Sequence, residues 1–532
     1  MSELLHELII QRANTRPAAP AVTYKDSSLS YADLSAEITS AAQSLIGLGL
    51  AKNERIAIYL PKRLETVVSF FATSLAGGVF VPINPLLKPT QVAYILQDCN
   101  VRILITSQDR YNALKDALTG CHDMHTVVLL DNKHDTAENV GHFQTLGWSA
   151  MLANGGSDTL PHRRIDTDIA AILYTSGSTG NPKGVVLSHR NMVAGAKSVA
   201  QYLENHEHDR LLAVLPFSFD YGLSQLTTSF VSGACTVLMD YLFPRDVIKM
   251  VAKEGITGLA AVPPLWNQIA QLPWPEEATD KLRYITNSGG ALPKATIASL
   301  QKALPTTNIY LMYGLTEAFR STFLPPSEIN KRPDSIGKAI PNAEVIVVRE
   351  DGTQCASGEP GELVHKGSLV SMGYWNDPNK TNEHFKPAPN RDKGLPLQEI
   401  AVWSGDTVRM DEEGYLYFVS RKDDMIKTSG YRVSPTEVEE VIYSSNLVEQ
   451  VAAIGVPHAV LGQAVVTILT PNAHSDKVDK ETILAYCKSK LPAFMVPEHI
   501  VIRQNLPKNP NGKIDRKTLA KEYQDLFQED NE

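Results

Sequence analysis

Cysteine is scarce in this chain. Only five occur in 532 residues, at Cys99, Cys121, Cys235, Cys355 and Cys487, widely spread and with no Cys-x-x-Cys pair. That pattern excludes a disulfide framework and a zinc knuckle and fits a reducing compartment. An excess of positive charge is missing too: 50 Lys+Arg against 59 Asp+Glu leave a net charge of −9. A broad nucleic-acid surface, which needs clustered cations, is therefore not expected. Nor is a membrane span. The uncharged stretch 66–87 is broken by Gly77, Gly78, Pro82, Asn84 and Pro85, whereas a bilayer helix needs about 20 largely apolar residues. It reads as a helix, a Gly-Gly turn and a buried strand over 79–81. The first residues lack the basic cluster and small-residue cleavage site of a signal peptide. They read as an amphipathic helix with Leu4, Leu5, Leu8 and Ile9 on its apolar side, so a cytoplasmic protein is expected.

What is present is ordinary for a globular chain, with 43% hydrophobic and 20% charged residues. The length predicts about three or four folding units. Up to about residue 341, β-branched runs at 56–60, 102–106, 126–130, 211–215, 236–239 and 284–286 alternate with helix-period segments such as 191–202. Strands separated by helices imply right-handed crossovers and mostly parallel sheets. A polar stretch at 154–164 reads as a surface linker. From about 342 the texture changes to short strands at 343–348, 361–365, 402–403 and 415–419, more like an antiparallel barrel. Beyond the charged residues 420–424 the alternation returns, with helices over 434–443 and 479–490 and extended segments over 448–456 and 463–470. The acidic end, 524–532, reads as a frayed tail.

The sharpest local signal is Tyr-Thr-Ser-Gly-Ser-Thr-Gly-Asn-Pro-Lys-Gly at 174–184, directly after the apolar run 169–173. Glycines let backbone N–H groups approach a polyphosphate, hydroxyls donate to it, and Lys183 adds a point charge. It is not a Walker A loop, because Pro182 precedes Lys183 and Gly184 follows it. Composition alone leaves two readings open, a phosphate cradle or a flexible polar turn.

The whole string resembles the phosphate loop of the adenylate-forming (ANL) superfamily, and further motifs follow that family's order. They are Leu-Ser-Tyr-Ala-Asp-Leu (29–34), Leu-Ala-Gly-Gly-Val-Phe-Val-Pro-Ile-Asn (75–84), Tyr-Gly-Leu-Thr-Glu (313–317), Gly-Glu-Pro-Gly-Glu-Leu (358–363), Ser-Gly-Asp (404–406), Arg-Lys-Asp-Asp (421–424) and Asn-Gly-Lys-Ile-Asp (511–515). The resemblance implies an α/β fold. Residues 1–420 would form a large N-terminal domain, with two stacked αβαβα-type sheets in 1–341 and a small β-barrel subdomain in 342–420. A hinge would lie at 421–424, and residues 425–532 would form a smaller, mobile α+β C-terminal domain.

It also implies a two-step reaction. A carboxylate attacks the α-phosphate of ATP to give an acyl-adenylate and pyrophosphate, and a thiol then displaces AMP to form a thioester. By this resemblance Thr175, Ser176, Gly177, Ser178, Thr179, Gly180, Lys183 and Tyr313 contact ATP. Thr316 and Glu317 contact the α-phosphate, and Glu317 holds Mg2+. Asp406 and Arg421 bind the ribose, and Lys513 is the catalytic lysine that bridges carboxylate and α-phosphate. Asp423 is the hinge residue. Lys427, Ser429 and Gly430 belong to the face that receives the thiol, either CoA or the phosphopantetheine of a carrier protein.

The acid itself is less legible. Asp220 stands where amino-acid adenylating relatives pair an aspartate with the substrate ammonium, but it could instead cap the helix that follows. Tyr221, Ser224, Thr286, Ser288, Met312 and Arg320 align with side-chain pocket positions. Arg320 could read a second acidic group or simply pair with a nearby carboxylate. Leu315 is more like acyl ligases, whereas Phe-Asp at 219–220 is more like amino-acid adenylating domains. The chain length suggests a free-standing enzyme. The resemblance therefore implies a ligase that loads an amino acid onto a carrier-protein phosphopantetheine, or an acyl-CoA synthetase for a non-amino acid. A Ser-nucleophile amidase lacks its triad here, and a P-loop phosphotransferase lacks its lysine. His-Glu-His-Asp at 206–209 reads as a solvated charged face, and Cys235 as core packing.

Overall fold

Runs of apolar and β-branched residues between helices form strands that are covered on both faces. Val79–Pro82, Thr126–Leu129, Cys235–Leu238 and Tyr284–Asn287 are buried at every position, as parallel sheets flanked by helices require. The structure is a computed structural model that describes residues 3–131, 137–153, 161–175, 182–390, 394–421, 425–428, 431–458, 461–472 and 478–527.

Three sheets organise the described strands. The first runs in spatial order Lys183–Ser188, Ile169–Thr175, Val79–Pro82, Arg55–Tyr59, Val101–Thr106, Thr126–Leu129, Phe143–Gly147 and Glu138–Val140. Its inner pairs are parallel and its outermost pair at each end is antiparallel. The second has a parallel centre of Pro20–Tyr24, Cys235–Leu238, Arg210–Ala213, Gly258–Ala261, Tyr284–Asn287 and Asn308–Tyr313. Beyond Asn308–Tyr313 it turns antiparallel through Thr322–Leu324 and Ser335–Ala339.

The sheet does not stop at residue 342. Ser335–Ala339 pairs with Leu416–Arg421, and the path continues through Ile400–Met410 and Gly361–Gly367 to Ala343–Val348. The region expected to be barrel-like is thus hydrogen-bonded to the second sheet, as an open path among the described strands.

Helix Leu64–Ala76 ties the two large sheets together. Every residue from Thr66 to Ala76 is buried, the signature of a helix apolar on all sides that lies inside a core. It touches Val79–Pro82 of the first sheet and Pro20–Tyr24 of the second. It ends at Gly77, whose φ of 88° turns the chain into the next strand. The uncharged stretch is therefore core as far as Asn84, while Leu86 is exposed. Among the described residues no helix is long and apolar enough to cross a membrane.

The C-terminal sheet pairs Tyr431–Val433, Ile426–Thr428, Gly462–Pro471 and Val448–His458 antiparallel, with His499–Ile502 parallel to Gly462–Pro471. Its two faces carry separate cores, one around Val438, Ile442 and Ile483, the other around Ile454, Leu506 and Leu519. Arg516 donates to Glu439 at 2.7 and 2.8 Å, holding helix Arg516–Glu522 against helix Pro435–Ser444.

The N-terminal helix Glu7–Thr15 is docked through two buried histidines. His189 Nδ1 accepts the Leu5 N–H at 3.2 Å, His6 Nδ1 lies 3.0 Å from Ser74 Oγ, and the rings meet edge to face. Burial and the nearby Arg164 guanidinium push His6 down to about 2 and His189 down to about 4. Both stay neutral in the fold but would take protons in the unfolded chain below about pH 6.5. Their stabilisation is complete above that pH and is lost as pH falls towards their folded values. By pH 5 the loss should reach about 2 kcal/mol for each histidine. Denaturant midpoints should drop between pH 7 and 5, and His6→Gln or His189→Gln should flatten that dependence.

Candidate active site

Lys513 sits in a turn rich in Pro, Asn and Gly, and one side chain organises it. Asn509 Oδ1 accepts the N–H groups of Asn511 and Lys513 at 3.0 Å each, and the Asn509 N–H donates to the Lys513 carbonyl at 2.8 Å. The turn reaches across to the N-terminal region, where Asn84 Nδ2 donates to the Pro510 carbonyl at 2.8 Å. The Lys513 ammonium lies 5.1 Å from the centre of the Phe219 ring. Burial pushes it down to about 8; Arg421 and Arg320 add to the shift, while Asp220 and Asp406 oppose it. Room for its stem comes from Gly289, where a Cβ would stand 2.7 Å from Lys513 Cε.

Asp406 and Arg421 are directly opposed on neighbouring antiparallel strands. Arg421 Nε is 3.4 Å from Asp406 Oδ1, while Tyr313 donates its hydroxyl to Asp406 Oδ2 at 2.5 Å. Burial and the Asp406 carboxylate hold Tyr313 well above the usual phenol range, so it remains a donor.

Glu317 lies in the short 3-10 turn Thr316–Ala318 and accepts the Tyr374 hydroxyl at 2.6 Å. The segment around Tyr374 also stitches this turn to the strand that begins at Lys183. Ser371 N–H donates to the Glu317 carbonyl, and Met372 and Trp375 N–H donate to the carbonyls of Val186 and Gly184. The Lys183 ammonium stands 5.4 Å from the Tyr374 ring. Burial and the neighbouring Lys380 lower its pKa. Lys183 is paired in register with Thr175, so the two described ends of the Gly/Ser-rich string stand side by side. Ser176, Gly177, Ser178, Thr179 and Gly180 lie outside the described residues, as do Asp423, Ser429 and Gly430. A carboxylate with one oxygen bonded to Tyr374 and the other accepting nothing among the described residues fits a hard divalent cation.

Asp220 is buried at the first position of helix Asp220–Ser232 and makes no capping hydrogen bond. The capping alternative does not hold. Its Oδ2 accepts from Arg320 Nη1 at 2.9 Å, and Thr316 Oγ1 approaches Oδ1 at 3.5 Å. Arg320 is brought there by a strained turn, since Phe319 adopts a φ of 56°, uncommon for a bulky residue. The Arg320 guanidinium lies over the Tyr221 ring at 4.8 Å, and the Tyr221 hydroxyl is 2.5 Å from Thr286 Oγ1. Ser224, Ser288 and Met312 are buried as well, with Tyr202 OH 3.0 Å from Met312 Sδ. Lys427 is exposed on strand Ile426–Thr428, and among the described residues no bond links it to these groups.

Two residues that matter to this geometry escaped sequence reasoning: Tyr374 and Gly289. Neither has a local signature, and each acts on a partner distant in the chain. In the His206–Asp209 stretch, His206, Glu207 and His208 are exposed as expected, whereas Asp209 is buried and bonded to Arg283 at 2.7 and 2.9 Å and to Thr257 at 2.7 Å. Cys235 is packed in the core, and burial raises its thiol pKa.

Residues 9–375 match the AMP-binding enzyme family, and residues 437–513 match the AMP-binding enzyme C-terminal domain. The chain belongs to the AMP-binding enzyme family, within the adenylate-forming superfamily, and is an AMP-forming acid–thiol ligase. It is 29% identical to the long-chain-fatty-acid–CoA ligase FadD13 of Mycobacterium tuberculosis, over 97% of this chain and 98% of that one. It is also 29% identical to gramicidin S synthase 2 of Brevibacillus brevis, over 98% of this chain but 11% of that protein. Among solved structures it is similar to ATP-bound MatB from Rhodopseudomonas palustris, with a TM-score of 0.86, 25% identity and coverage of 99% and 100%.

Gly289 offers a direct test of the Lys513 geometry. Its φ of 81° already disfavours a side chain, and a methyl group would push on Lys513 Cε. Gly289→Ala should lower ATP–pyrophosphate exchange by at least about tenfold, with a far smaller effect on thioester formation from supplied acyl-adenylate. Equal loss in both assays would count against this arrangement.

Proposed function

We propose that this enzyme activates a small carboxylic acid with ATP and passes the acyl group to a phosphopantetheine thiol. The observation that carries the reading is Lys513, a half-buried lysine from the C-terminal region whose ammonium stands 5.1 Å from the Phe219 ring and feels the charges of Asp220 and Asp406. The first half-reaction gathers negative charge at the α-phosphate, so fixed cations rather than a protein nucleophile lower its barrier. Lys513 bridges the incoming carboxylate and the α-phosphate. Lys183 and the Gly/Ser-rich string hold the outer phosphates, and Asp406 accepts hydrogen bonds from the ribose hydroxyls with Arg421 as a donor beside it. Glu317 would hold Mg2+, oriented by Tyr374; when bound, that ion supplies further charge stabilisation to the phosphates.

The second half-reaction needs Lys513 out of the way. A rotation of the C-terminal domain about Asp423 withdraws it and presents Lys427, Ser429 and Gly430 to the incoming thiol. The thiol belongs to CoA or to a carrier protein, and a reducing cytoplasm suits either. Two acids remain in view. An amino acid would set its ammonium against Asp220 Oδ1, whose nearest donor is 3.5 Å away. A non-amino acid would leave Asp220 as the counter-ion of Arg320. The 2.9 Å bond between these two buried groups favours the non-amino acid, because the aspartate's charge is already answered.

Lys513→Ala should cut pyrophosphate exchange by at least about a hundredfold while sparing thioester formation from supplied acyl-adenylate. Asp423→Pro should do the reverse. Equal losses in both assays for Lys513→Ala, or an unimpaired overall rate for Asp423→Pro, would refute these roles. The lowered pKa of Lys513 adds a pH signature. Its ammonium is lost as pH rises through about 8, so kcat/KM for ATP should fall above that value. In Lys513→Ala the residual rate should lack this alkaline limb.

A further inference from the structure

Arg320 is only 2% exposed, yet its hydrogen bonding is one-sided. Nη1 donates to Asp220 Oδ2 and to the Phe319 carbonyl, both at 2.9 Å. Nε and Nη2 are buried and have no partner among the described residues. These two nitrogens share one edge of the guanidinium and form a two-donor fork. The face of the group is covered by Tyr221 at 4.8 Å and Phe319 at 5.6 Å, leaving that edge as its unsatisfied part.

A buried donor without an acceptor is destabilising by about 1–3 kcal/mol, and more when charged. Arg164 leaves only its Nε so placed, whereas Arg320 leaves two nitrogens of one edge. Arg55 in the same protein sends Nε, Nη1 and Nη2 to the carbonyls of Cys99, Asn53 and Asn100. Arg320 differs in having its other edge pinned by Asp220, which in turn meets Thr316, the neighbour of Glu317. The Lys513 ammonium stands 5.1 Å from the ring of Phe219, the chain neighbour of Asp220, so the open fork adjoins the proposed reaction site.

We propose that the fork receives a second hydrogen-bond-accepting group on the acid substrate, a carboxylate or a carbonyl oxygen at a distance from the carboxylate that reacts. This rests on the ligase reading above. Arg320 is then the specificity-determining residue and Asp220 its positioning partner, which holds the guanidinium edge-on and balances its charge before the substrate binds.

The test is ATP–pyrophosphate exchange with the full-length enzyme over length-matched sets of acids: a dicarboxylic acid, its half-amide and the methyl-terminated acid. In at least one set the acceptor-bearing acids should exceed the methyl-terminated acid in kcat/KM by at least about tenfold, because an acid that lacks the acceptor leaves the buried fork unpaired. A dicarboxylate ahead of its half-amide identifies a charged group as the natural acceptor, and the opposite order identifies a carbonyl. Exchange that ignores the far end in every set overturns this inference alone. Absence of exchange in every set overturns the proposed small-acid substrate as well.

The double variant Asp220→Asn/Arg320→Gln removes both charges together and should erase the preference. Arg320→Lys, which keeps the charge but loses the fork, should weaken it. Thermal unfolding of each variant reports whether it is folded. A preference that survives in a folded variant refutes the role of the fork.

Discussion

The constraint on which this structure depends is that several cations must stand close together before any polyphosphate is present to hold them. Like charges repel strongly in a low-dielectric site. Here each cation has its own counter-charge or aromatic face. Arg421 has Asp406, Arg320 has Asp220 and the Tyr221 ring, Lys183 has the Tyr374 ring, and Lys513 has Phe219. Where the compensation is weakest the strain is visible: Lys513 is pushed down to about 8 by burial. A negatively charged ligand relieves the same repulsion that the protein by itself contains with pairing.

Sheet edges and turns deliver these groups from different layers. Thr175 and Lys183 come from the first sheet, whereas Tyr313, Asp406 and Arg421 come from the second. The Ser371–Trp375 segment bridges them, since it bonds to the Glu317 turn and to the strand that begins at Lys183. That bridge couples two charged groups that would otherwise move independently. The hydrogen-bonded continuation beyond residue 342 serves the same end, because Asp406 and Arg421 are carried on strands continuous with the one bearing Tyr313. Asn84 adds the contact that seats the lysine turn from the C-terminal sheet.

Much of this was legible in the sequence for a physical reason. Alternation of helix and strand follows from local periodicity, so the strands expected at 56–60, 102–106, 126–130 and 284–286 are present as Arg55–Tyr59, Val101–Thr106, Thr126–Leu129 and Tyr284–Asn287. Glycines, hydroxyls and lysine in one short string also announce their chemistry locally. The pairings did not announce themselves. Arg320 and Asp220 are 100 residues apart, Tyr374 and Glu317 57, and Asn84 and Pro510 426. Asp209 looked solvated because its neighbours in sequence are polar, but its neighbours in space are Arg283 and Thr257.

By itself, then, the sequence determined the class of fold, the family and the inventory of reactive side chains, since those depend on residue type and short-range spacing. Only the tertiary structure decided which cation meets which anion and which donors are left open. The two alternatives for Asp220 illustrate the division. A capping aspartate and a paired aspartate are indistinguishable in the string Phe-Asp-Tyr-Gly. What separates them is a strained turn a hundred residues later that carries Arg320 to within 2.9 Å. Burial then gives that one contact its weight, because an ionised group removed from water is held by its partners or not at all.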